Sequence, residues 1–451
     1  MGEKKIKKGS SAKTLQTARE AGYFGKKILK NALQAREEGR PIAWSMVTWY
    51  QGDLIAKAMG VELVYPENWG AFCAAVGAAE AHLEISHDEG FPSTLCGYAR
   101  NCFGYTVKLA NNEMKPPDDA PGGGMPKPTV LLGSGVACDA RYKWFQALGR
   151  YMEVPVWTHE LPHTGVPEYF LPGNKEHNIK FMVSEMREYV TFMEKLLGKK
   201  LDWDRYSEMV DQTFRTLRLA YEVEVLRKAV PSPMVSQDFW AIMIPHYYLP
   251  EDPEAYEFYQ RVYDEVKEKV DNKIGAIPNE KYRMMFSELP PWHNIGFFDE
   301  IAEKHGIAMV IESIGYHPMP PIPEEEIGGI TDPLELNARL SYHHWTAYHE
   351  TALKYQVEPG YQTAPFLNWV QDYKADGLFC HPLMSCRPAT YTLLHLGNIL
   401  MDKFKVPSVV VDGDIIDMRV FDVELAHSKV EAFVETMDHY REERNKMGLS
   451  W

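Results

Sequence analysis

The sequence is poor in cysteine, in net positive charge and in long apolar runs. Six cysteines in 451 residues are too few for a disulfide-stapled scaffold, so we expect reduced thiols. The formal net charge of −15 argues against a nucleic-acid partner, because phosphate contacts need a basic face. No apolar run approaches the ~18 residues that cross a bilayer. We therefore expect no membrane span. We also expect a cytoplasmic location, because the basic residues 1–10 have no apolar signal segment behind them.

Two nucleotide-binding motifs are also missing. Neither half of the chain carries a G-x-G-x-x-G turn after its first predicted strand, which argues against a dinucleotide site. The glycine run Gly122-Gly-Gly124 lies in a proline-rich connection, not between a strand and a helix. No Walker A sequence is present, so the chain is not expected to bind ATP by that route.

What the chain does contain is a strand–helix–strand alternation that occurs twice. Such alternation is typical of a parallel sheet. We predict an α/β fold of two Rossmann-like, four-stranded parallel lobes with a helical middle domain and a cleft between the lobes. The predicted parts are a helical arm, a first lobe, a helical domain and a second lobe, at residues 1–40, 41–170, 171–280 and 281–451.

Several helices are predicted between and after these strands. Residues 70–86 and 334–355 are each predicted as one helix. In the middle of the chain, apolar residues recur at helical spacing and predict one buried face. The residues of this face are Val210, Phe214, Leu217, Tyr221 and Val225.

Two cysteines occupy matching places in the two halves. Cys138 and Cys386 each follow a predicted strand, and ligands of open α/β sheets sit at the carboxyl ends of strands. Cys96 lies in a loop that leads into a helix of the first half. Three thiolates could hold an iron–sulfur cluster with one iron left open. The alternative is three unrelated buried thiols, and cysteine spacing alone does not decide between them.

The residues around these cysteines resemble a known family. Leu95-Cys-Gly-Tyr-Ala-Arg100, Ala137-Cys-Asp139, Ser385-Cys-Arg-Pro388 and the tail from Val406 to Arg419, with its G-D-x-x-D-x-R segment, resemble 2-hydroxyacyl-CoA dehydratases. That family includes the cluster-bearing subunits of ATP-dependent benzoyl-CoA reductases. The resemblance covers residues ~40 to 440 and is weakest in the helical middle.

The resemblance implies a cofactor, a substrate class and partners. Cys96, Cys138 and Cys386 would bind one [4Fe–4S] cluster, and a CoA thioester would be the substrate. A homologous cluster-bearing subunit would complete a heterodimer. An ATP-hydrolysing iron–sulfur activator, with a ferredoxin upstream, would deliver electrons. Cys73, Cys102 and Cys380 fall outside the matched positions, and Cys380 is expected to be a buried thiol in an apolar strand.

The leading interpretation is an oxidoreductase, a benzoyl-CoA reductase-type subunit. It would reduce an aryl-CoA thioester by two electrons to a cyclic dienoyl-CoA. The strand from Trp44 to Trp49 and the loop from Tyr65 to Trp69 resemble that branch, and aromatic walls would suit an aryl ring. The alternatives are an (R)-2-hydroxyacyl-CoA dehydratase subunit, which eliminates water, and an electron-relay subunit that feeds a partner's active site.

Proton donors are predicted from their proximity to the cysteines. His381 directly follows the strand that leads to Cys386 and is the first choice. Tyr98 and Tyr105, which flank the Cys96 loop, are the others. Their alternative role is structural, as packed residues.

Charged residues beside the cysteines have two possible roles. Arg100 and Arg387 could stabilise a reduced cluster or bind the CoA phosphates, and simple salt bridges are the alternative. Asp139 and Asp414 are expected to cap helices or to orient loops.

Overall fold

Two four-stranded parallel sheets with the same strand order organise the chain in this computed structural model. The structure describes residues 11–46, 51–135, 138–162, 173–314, 317–357, 363–449 and 451. Trp49 and Ala137, which contributed to the predictions above, lie outside these ranges. The predicted α/β class with two parallel lobes is confirmed.

The first sheet has the order β2-β1-β3-β4 and the second has the order β6-β5-β7-β8. The strands of the first are β1 Ile42–Ser45, β2 Glu62–Val64, β3 Val130–Ser134 and β4 Val156–His159. The strands of the second are β5 Tyr282–Phe286, β6 Ile307–Glu312, β7 Gly377–Cys380 and β8 Ser408–Val410. β3 and β7 therefore hold the same place in their sheets.

The strands are short, and several are buried along their whole length. Every residue of β3, β5 and β6 is buried, as expected for parallel strands covered by helices on both faces. In the first sheet Leu132 pairs with both Ser45 and Trp157. In the second sheet the register between β5 and β6 shifts between Met284 and Met285.

Helices surround and connect the two sheets. Before and within the first lobe they are α1 Gln16–Glu20, α2 Gly22–Glu37, α3 Gln51–Ala58, α4 Pro66–Ala75, α5 Ala79–Asp88, α6 Gly97–Asn111 and α7 Asp139–Met152. The middle helices are α8 Asn174–Leu197, α9 Trp203–Leu226, α10 Ser236–Tyr248 and α11 Pro253–Asp271. Those of the second lobe are α12 Gly296–His305, α13 Glu324–Ile327, α14 Pro333–Thr346, α15 His349–Tyr355, α16 Ala364–Asp372, α17 Pro388–Tyr391, α18 Leu393–Phe404 and α19 Val423–Lys446.

Two helices predicted as continuous are broken, which corrects the prediction. The segment 70–86 contains the end of α4 and most of α5, and the two helices are separated around Gly77. Gly77 has a φ of +75°, which is not a helical value and which glycine adopts without steric cost. The segment 334–355 is divided between α14 and α15 at residues 347–348. In both cases the apolar spacing continues across the break, so periodicity alone does not reveal it.

The predicted apolar face of α9 is only partly right. Val210 is buried, but Val225 at the other end of the predicted face is 43% exposed. The buried face includes the polar Thr216 and Glu224. Thr216 is satisfied because its hydroxyl donates to the Gln212 carbonyl of its own helix at 3.1 Å. The buried face therefore differs from the face predicted by the apolar pattern, because polar residues with hydrogen-bond partners inside the protein can also be buried.

Both lobes and the middle helices share one apolar core. This core includes Trp44 and Leu131 from the first sheet and Met284 and Phe286 from the second. A smaller core lies on the other side of the second sheet, around residues such as Leu378. The lobes are therefore packed against each other. None of the helices in the described part of the chain is long and apolar enough to cross a bilayer.

Candidate metal centre between the lobes

The three predicted cysteines each lie at the start of a helix. Cys96 directly precedes α6 and Cys138 directly precedes α7. Cys386 lies one residue before Arg387, the first residue flanking α17. Cys138 follows β3 and Cys386 follows β7, so the predicted equivalence of their positions in the two lobes is seen in the topology.

Each of the three sulfur atoms accepts a backbone N–H from the residue three positions further on. This contact places a sulfur over the free amides of a first helical turn, where negative charge is favoured. The donors are Ala99 for Cys96, Arg141 for Cys138 and Ala389 for Cys386.

The three thiols also lie close enough to interact electrostatically. Burial raises the pKa of Cys96 to about 12, and the neighbouring Cys138 adds to the increase. Burial raises the pKa of Cys386 far above its usual value, with Cys96 and then Cys138 contributing further. The structure thus brings Cys96, Cys138 and Cys386 together. Cys73 and Cys102 are buried elsewhere and interact with each other.

Hydrogen bonds between the loops join the two lobes at this point. The Gly97 N–H donates to Ser385 Oγ at 3.0 Å, and the Ser385 N–H donates to Asp414 Oδ2 at 3.0 Å. Asp414 Oδ1 accepts the N–H groups of Ile416 and Asp417, each at 3.1 Å. Asp414 therefore orients two loops, which agrees with the role expected for it.

The two arginines beside the cysteines have protein partners. Arg100 is buried, donates to the Ser93 carbonyl at 2.9 Å and lies 3.6 Å from Asp417 Oδ2. Arg387 is exposed and pairs with Asp139, which joins the Cys386 loop to the start of α7. These contacts fit the salt-bridge alternative, and a role toward a cluster or CoA stays a prediction for both.

His381 lies inside the protein beneath the Cys386 loop. It is fully buried, its Nδ1–H donates to the Val411 carbonyl at 2.8 Å, and its ring packs near Phe286 and Phe421. A Cβ on Gly413 would lie 2.5 Å from its Cε1 atom. Burial lowers the pKa of His381 to about 4, so the ring is neutral at pH 7. The imidazole therefore does not carry the extra proton of an imidazolium that would make it a ready acid, and the role of His381 as proton donor stays a prediction.

The two candidate tyrosines differ in their surroundings. Tyr98 is buried and its hydroxyl accepts the Trp292 Nε1–H at 2.6 Å. The Tyr105 hydroxyl donates to the Met125 carbonyl at 2.8 Å and accepts the Met125 N–H at 2.9 Å. Tyr105 therefore has the contacts of a structural residue. A proton-donor role stays a prediction for both tyrosines.

The aromatic residues that suggested a site for an aryl ring are core residues. Trp44 and Trp69 are buried and pack around Tyr105, at ring-centroid distances of 6.3 Å and 4.4 Å. Trp44 Nε1–H donates to the Pro126 carbonyl at 2.8 Å. Their burial is explained by packing of the first lobe and gives no support to a ring-binding wall.

Sequence reasoning missed Glu288, which follows the carboxyl end of β5. It is 5% exposed, and its φ of +89° lies in the region that non-glycine residues rarely adopt. Such a backbone costs on the order of 1–3 kcal/mol. Burial raises the pKa of Glu288 well above its usual value, and Glu288 in turn raises the pKa of Cys386. A glutamate after a strand is too common a signal to identify it from sequence.

A second cluster of potential ligands lies between α9 and β6. Glu224, Glu312 and His317 have ligand atoms within 4.8 Å of one another. Arg227 already fills this cluster: its guanidinium donates to both oxygens of Glu312, each at 2.7 Å, and to Glu224 at 2.8 Å. The arrangement is therefore an ion network that fastens a middle helix to the second sheet.

A cavity of about 460 Å³ opens next to this network. It lies between α9, α14 and the segment that follows β6, with His317 at its wall. Phe214, Leu217, Leu336 and Leu340 supply apolar surface. Charged and imidazole side chains also line it, among them Arg215, Arg218 and Glu324. A cavity of this size is typical of a small-molecule site.

The donor set at the three cysteines fits an iron–sulfur cluster. Such clusters take thiolate ligands, and N–H groups directed at the sulfur atoms stabilise their negative charge. Burial keeps the three thiols protonated, and metal binding would release those protons. Three neighbouring sulfurs, each with at least one amide donor, are otherwise hard to explain in a protein whose remaining cysteines are buried apart from them.

The fold and this site define the chain as a two-lobed α/β protein with three thiols grouped at the joint between the lobes. Residues 48–437 match the family model described as 2-hydroxyglutaryl-CoA dehydratase, D-component. The match covers most of the chain, so the chain belongs to this family. The resemblance noted in the sequence is thereby confirmed at the level of the family.

Individual relatives are similar over nearly their whole lengths. The (R)-2-hydroxyisocaproyl-CoA dehydratase alpha subunit of Clostridioides difficile is 25% identical, over 92% of this chain and 94% of the relative. The (R)-phenyllactyl-CoA dehydratase alpha subunit of Clostridium sporogenes is 25% identical, over 90% and 92%. The (R)-2-hydroxyglutaryl-CoA dehydratase subunit alpha of Acidaminococcus fermentans is 21% identical, over 93% and 96%. All three are named dehydratases, which favours the alternative interpretation over the leading one; a benzoyl-CoA reductase is not confirmed.

Proposed function

We propose that this chain is the cluster-bearing subunit of an (R)-2-hydroxyacyl-CoA dehydratase. In this proposal Cys96, Cys138 and Cys386 hold one [4Fe–4S] cluster. The observation that carries the proposal is the convergence of these thiols, each with an amide donor, at the joint between the lobes. Family membership and the dehydratase names of the relatives support the reaction.

The reaction moves one proton and one hydroxyl without net oxidation. The hydroxyl group is on Cα, the carbon next to the thioester. The Cα–O and Cβ–H bonds break, a Cα=Cβ double bond forms, and water leaves. The Cβ–H is not acidic in the ground state, because the adjacent thioester acidifies Cα and not Cβ. When bound, the cluster would supply a transient electron and a Lewis-acidic iron for the substrate oxygen, which makes this elimination accessible.

The residues around the cysteines would hold the site in one geometry and exclude water from it. The amide donors at the three helix starts favour the negative charge of the thiolates without reorganising. The contacts from Gly97 to Ser385 and from Ser385 to Asp414 hold the loops of the two lobes in place. Buried side chains such as Tyr98 keep bulk water from reactive intermediates.

The cavity beside α14 is the proposed site of the acyl chain. Its apolar walls suit a hydrocarbon or phenyl side chain, and Arg215 and Arg218 lie among its lining residues, where they could meet the anionic CoA. Leu340→Trp should raise the KM for the acyl-CoA several-fold while kcat changes less. An unchanged KM would place the acyl chain elsewhere.

The proposal includes partner subunits. The sequence has no Walker A motif, so an ATP-hydrolysing activator, itself reduced by a ferredoxin, would provide the electron. Three large apolar residues are exposed in the chain segment around Cys386: Met384 is 53%, Tyr391 63% and Leu394 72% exposed. Large exposed apolar side chains that lie close together in the sequence are consistent with a protein interface and support docking of a homologous subunit at this segment.

The experiment is an anaerobic assay of the complete complex with activator and ATP. We expect (R)-2-hydroxyacyl-CoA esters to lose water and form enoyl-CoA. Conversion of benzoyl-CoA to a dienoyl-CoA instead would identify the reductase. If the chain acts as an electron relay only, adding acyl-CoA would leave the spectrum of its own cluster unchanged, whereas a substrate-binding subunit would show a shifted spectrum.

A further inference from the structure

A charged cavity lies at the amino ends of β5 and β7, the edge of the second sheet opposite to Cys386. Its volume is about 300 Å³, at the lower end of the range for small-molecule sites. Two of its lining residues are carboxylates, Glu280 and Asp376. The lining therefore carries a surplus of positive charge, because it also includes five cations, from the start of β5, the turn before β7 and the last turns of α19: Lys281, Arg283, Lys374, Arg441 and Arg444.

The two carboxylates are fully engaged by the chain itself. Asp376 lies 2.6 Å from an Arg441 nitrogen and 2.9 Å from an Arg444 nitrogen. Glu280 lies 2.6 Å from an Arg283 nitrogen, and its other oxygen accepts a backbone N–H at 2.7 Å. Each carboxylate oxygen is thus already directed at a donor of the protein. A second anion that entered the cavity would meet cations rather than free carboxylate oxygens.

Several donors around the cavity have no acceptor in the described part of the chain. Arg283 is only 5% exposed, and its Nε–H donates to the Tyr373 carbonyl at 2.6 Å, but its Nη2 group is buried without a partner. Arg441 binds its acceptors through Nε and Nη2, which leaves Nη1 unused. Lys281 and Lys374 line the cavity and make no ion pair with the described residues. A buried guanidinium donor without an acceptor is costly, so an acceptor from outside the chain is expected.

We propose that this cavity binds a phosphate-bearing small molecule. The guanidinium groups of Arg283 and Arg441 present N–H donors in the planar arrangement that matches phosphate oxygens, and the ammonium groups of Lys281 and Lys374 add charge at the rim. The site is separate from the thiols, since Cys386 follows the carboxyl end of β7 and the cavity lies before its amino end. It therefore adds a binding site to the proposed function and does not depend on it.

The charge of the lining favours phosphate over a monocarboxylate. A phosphate group carries close to two negative charges at pH 7, which suits a lining with three more cations than carboxylates. Asp438 is another carboxylate whose charge acts on Arg441. It accepts the Tyr282 hydroxyl at 2.9 Å and does not line the cavity, so it does not fill the place of the anion.

The test is calorimetric titration of the full chain, with its cluster assembled anaerobically, with inorganic phosphate. We expect one phosphate per chain. Lys281→Gln and Lys374→Gln should each raise the Kd several-fold, and Arg441→Gln should raise it further. Lys195→Gln is the matched control, because Lys195 is an exposed lysine of α8 that does not line the cavity. Its Kd should equal that of the wild type.

ATP and coenzyme A, titrated in the same way, distinguish the sources of the phosphate. Tighter binding of one of them than of inorganic phosphate, weakened by the same substitutions, would identify a nucleotide-type ligand, and equal or weaker binding would identify free phosphate. No binding of any of the three probes by the wild-type chain would overturn the proposal. A Kd for phosphate that is unchanged in both lysine variants would overturn it as well, even if Arg441→Gln fails to fold, because both lysines are exposed and their replacement leaves the ion pairs of the cavity intact.

Discussion

The backbone N–H of Gly97 donates a 3.0 Å hydrogen bond to the hydroxyl of Ser385, across the joint between the two lobes. Each of these residues is adjacent to a cysteine, Gly97 to Cys96 and Ser385 to Cys386. A Cβ on Gly97 would lie 3.0 Å from Asp414 Oδ1, so the approach is close. The bond therefore sets the separation of two sulfur atoms that belong to different lobes.

Ser385→Ala should loosen this joint. It leaves the buried Gly97 N–H without a partner, at a cost of about 1–3 kcal/mol in the free energy of unfolding. Because the two loops then separate more easily, iron should also be lost faster to a chelator. Ser428→Ala is the control, since its hydroxyl bonds the Glu424 carbonyl on an exposed helix. Equal rates of iron loss in both variants would contradict the proposed role of the bond.

Gly104→Ala should destabilise the helix that begins beside Cys96. A Cβ at this position would lie 1.9 Å from the His82 carbonyl oxygen, where α5 and α6 pack together. We expect a loss of about 1–3 kcal/mol in urea unfolding, because the backbones must move apart. Gly22→Ala is the matched control, since nothing lies within 4 Å of its Cβ. A stability equal to that of the wild type in Gly104→Ala would refute this packing.

Arg227→Met should be strongly destabilising. The change leaves Glu224 and Glu312 buried without their cation, which typically costs about 3–5 kcal/mol. Lys267→Met removes an exposed pair with Asp271 and should cost less than about 0.5 kcal/mol. Urea unfolding of both variants measures the contrast. A small effect at Arg227 would mean that the ion network does not fasten α9 to the second sheet.

The same network predicts a dependence of stability on pH. Burial alone would raise the pKa of Glu312, but the charge and hydrogen bonds of Arg227 outweigh it and lower the pKa to about 2. The unfolded carboxyl titrates at ~4.3. The stabilising contribution of Glu312 is therefore complete well above that pH and is lost as the pH falls toward the lowered pKa of the folded state. Glu312→Gln should lack this component, so wild type and variant should differ more at pH 5 than at pH 3. A constant difference would contradict the assignment.

Much of the fold could be predicted from the sequence because its parallel strands are buried on both faces. β3 and β6 begin in the sequence as apolar runs, Val130-Leu-Leu132 and Ile307-Ala-Met-Val-Ile311. The helix breaks at Gly77 and at residues 347–348 were missed, because apolar spacing continues through them. The face of α9 was misjudged because it buries polar residues with partners of their own: Thr216 bonds Gln212 in the same helix, and Glu224 bonds Tyr373 from a distant element.

The site was only partly predictable, for a similar reason. Cys138 and Cys386 could be recognised as equivalent positions, because each follows a strand and the carboxyl ends of strands in open α/β sheets are where ligands bind. The bond from Gly97 to Ser385 depends on how the lobes pack, which strand order does not give. Glu288 has no sequence signal at all, since its burial and its φ exist only in the folded chain.

The most direct test of the central claim is the iron content of the anaerobically purified chain. We predict about four irons and four sulfides per chain. Serine in place of Cys96, Cys138 or Cys386 should abolish most of this iron. Serine in place of Cys73, Cys102 or Cys380, all of which are buried, should retain it even where stability falls. A wild-type chain that stays free of iron after anaerobic reconstitution, or equal iron loss in all six variants, would contradict the account.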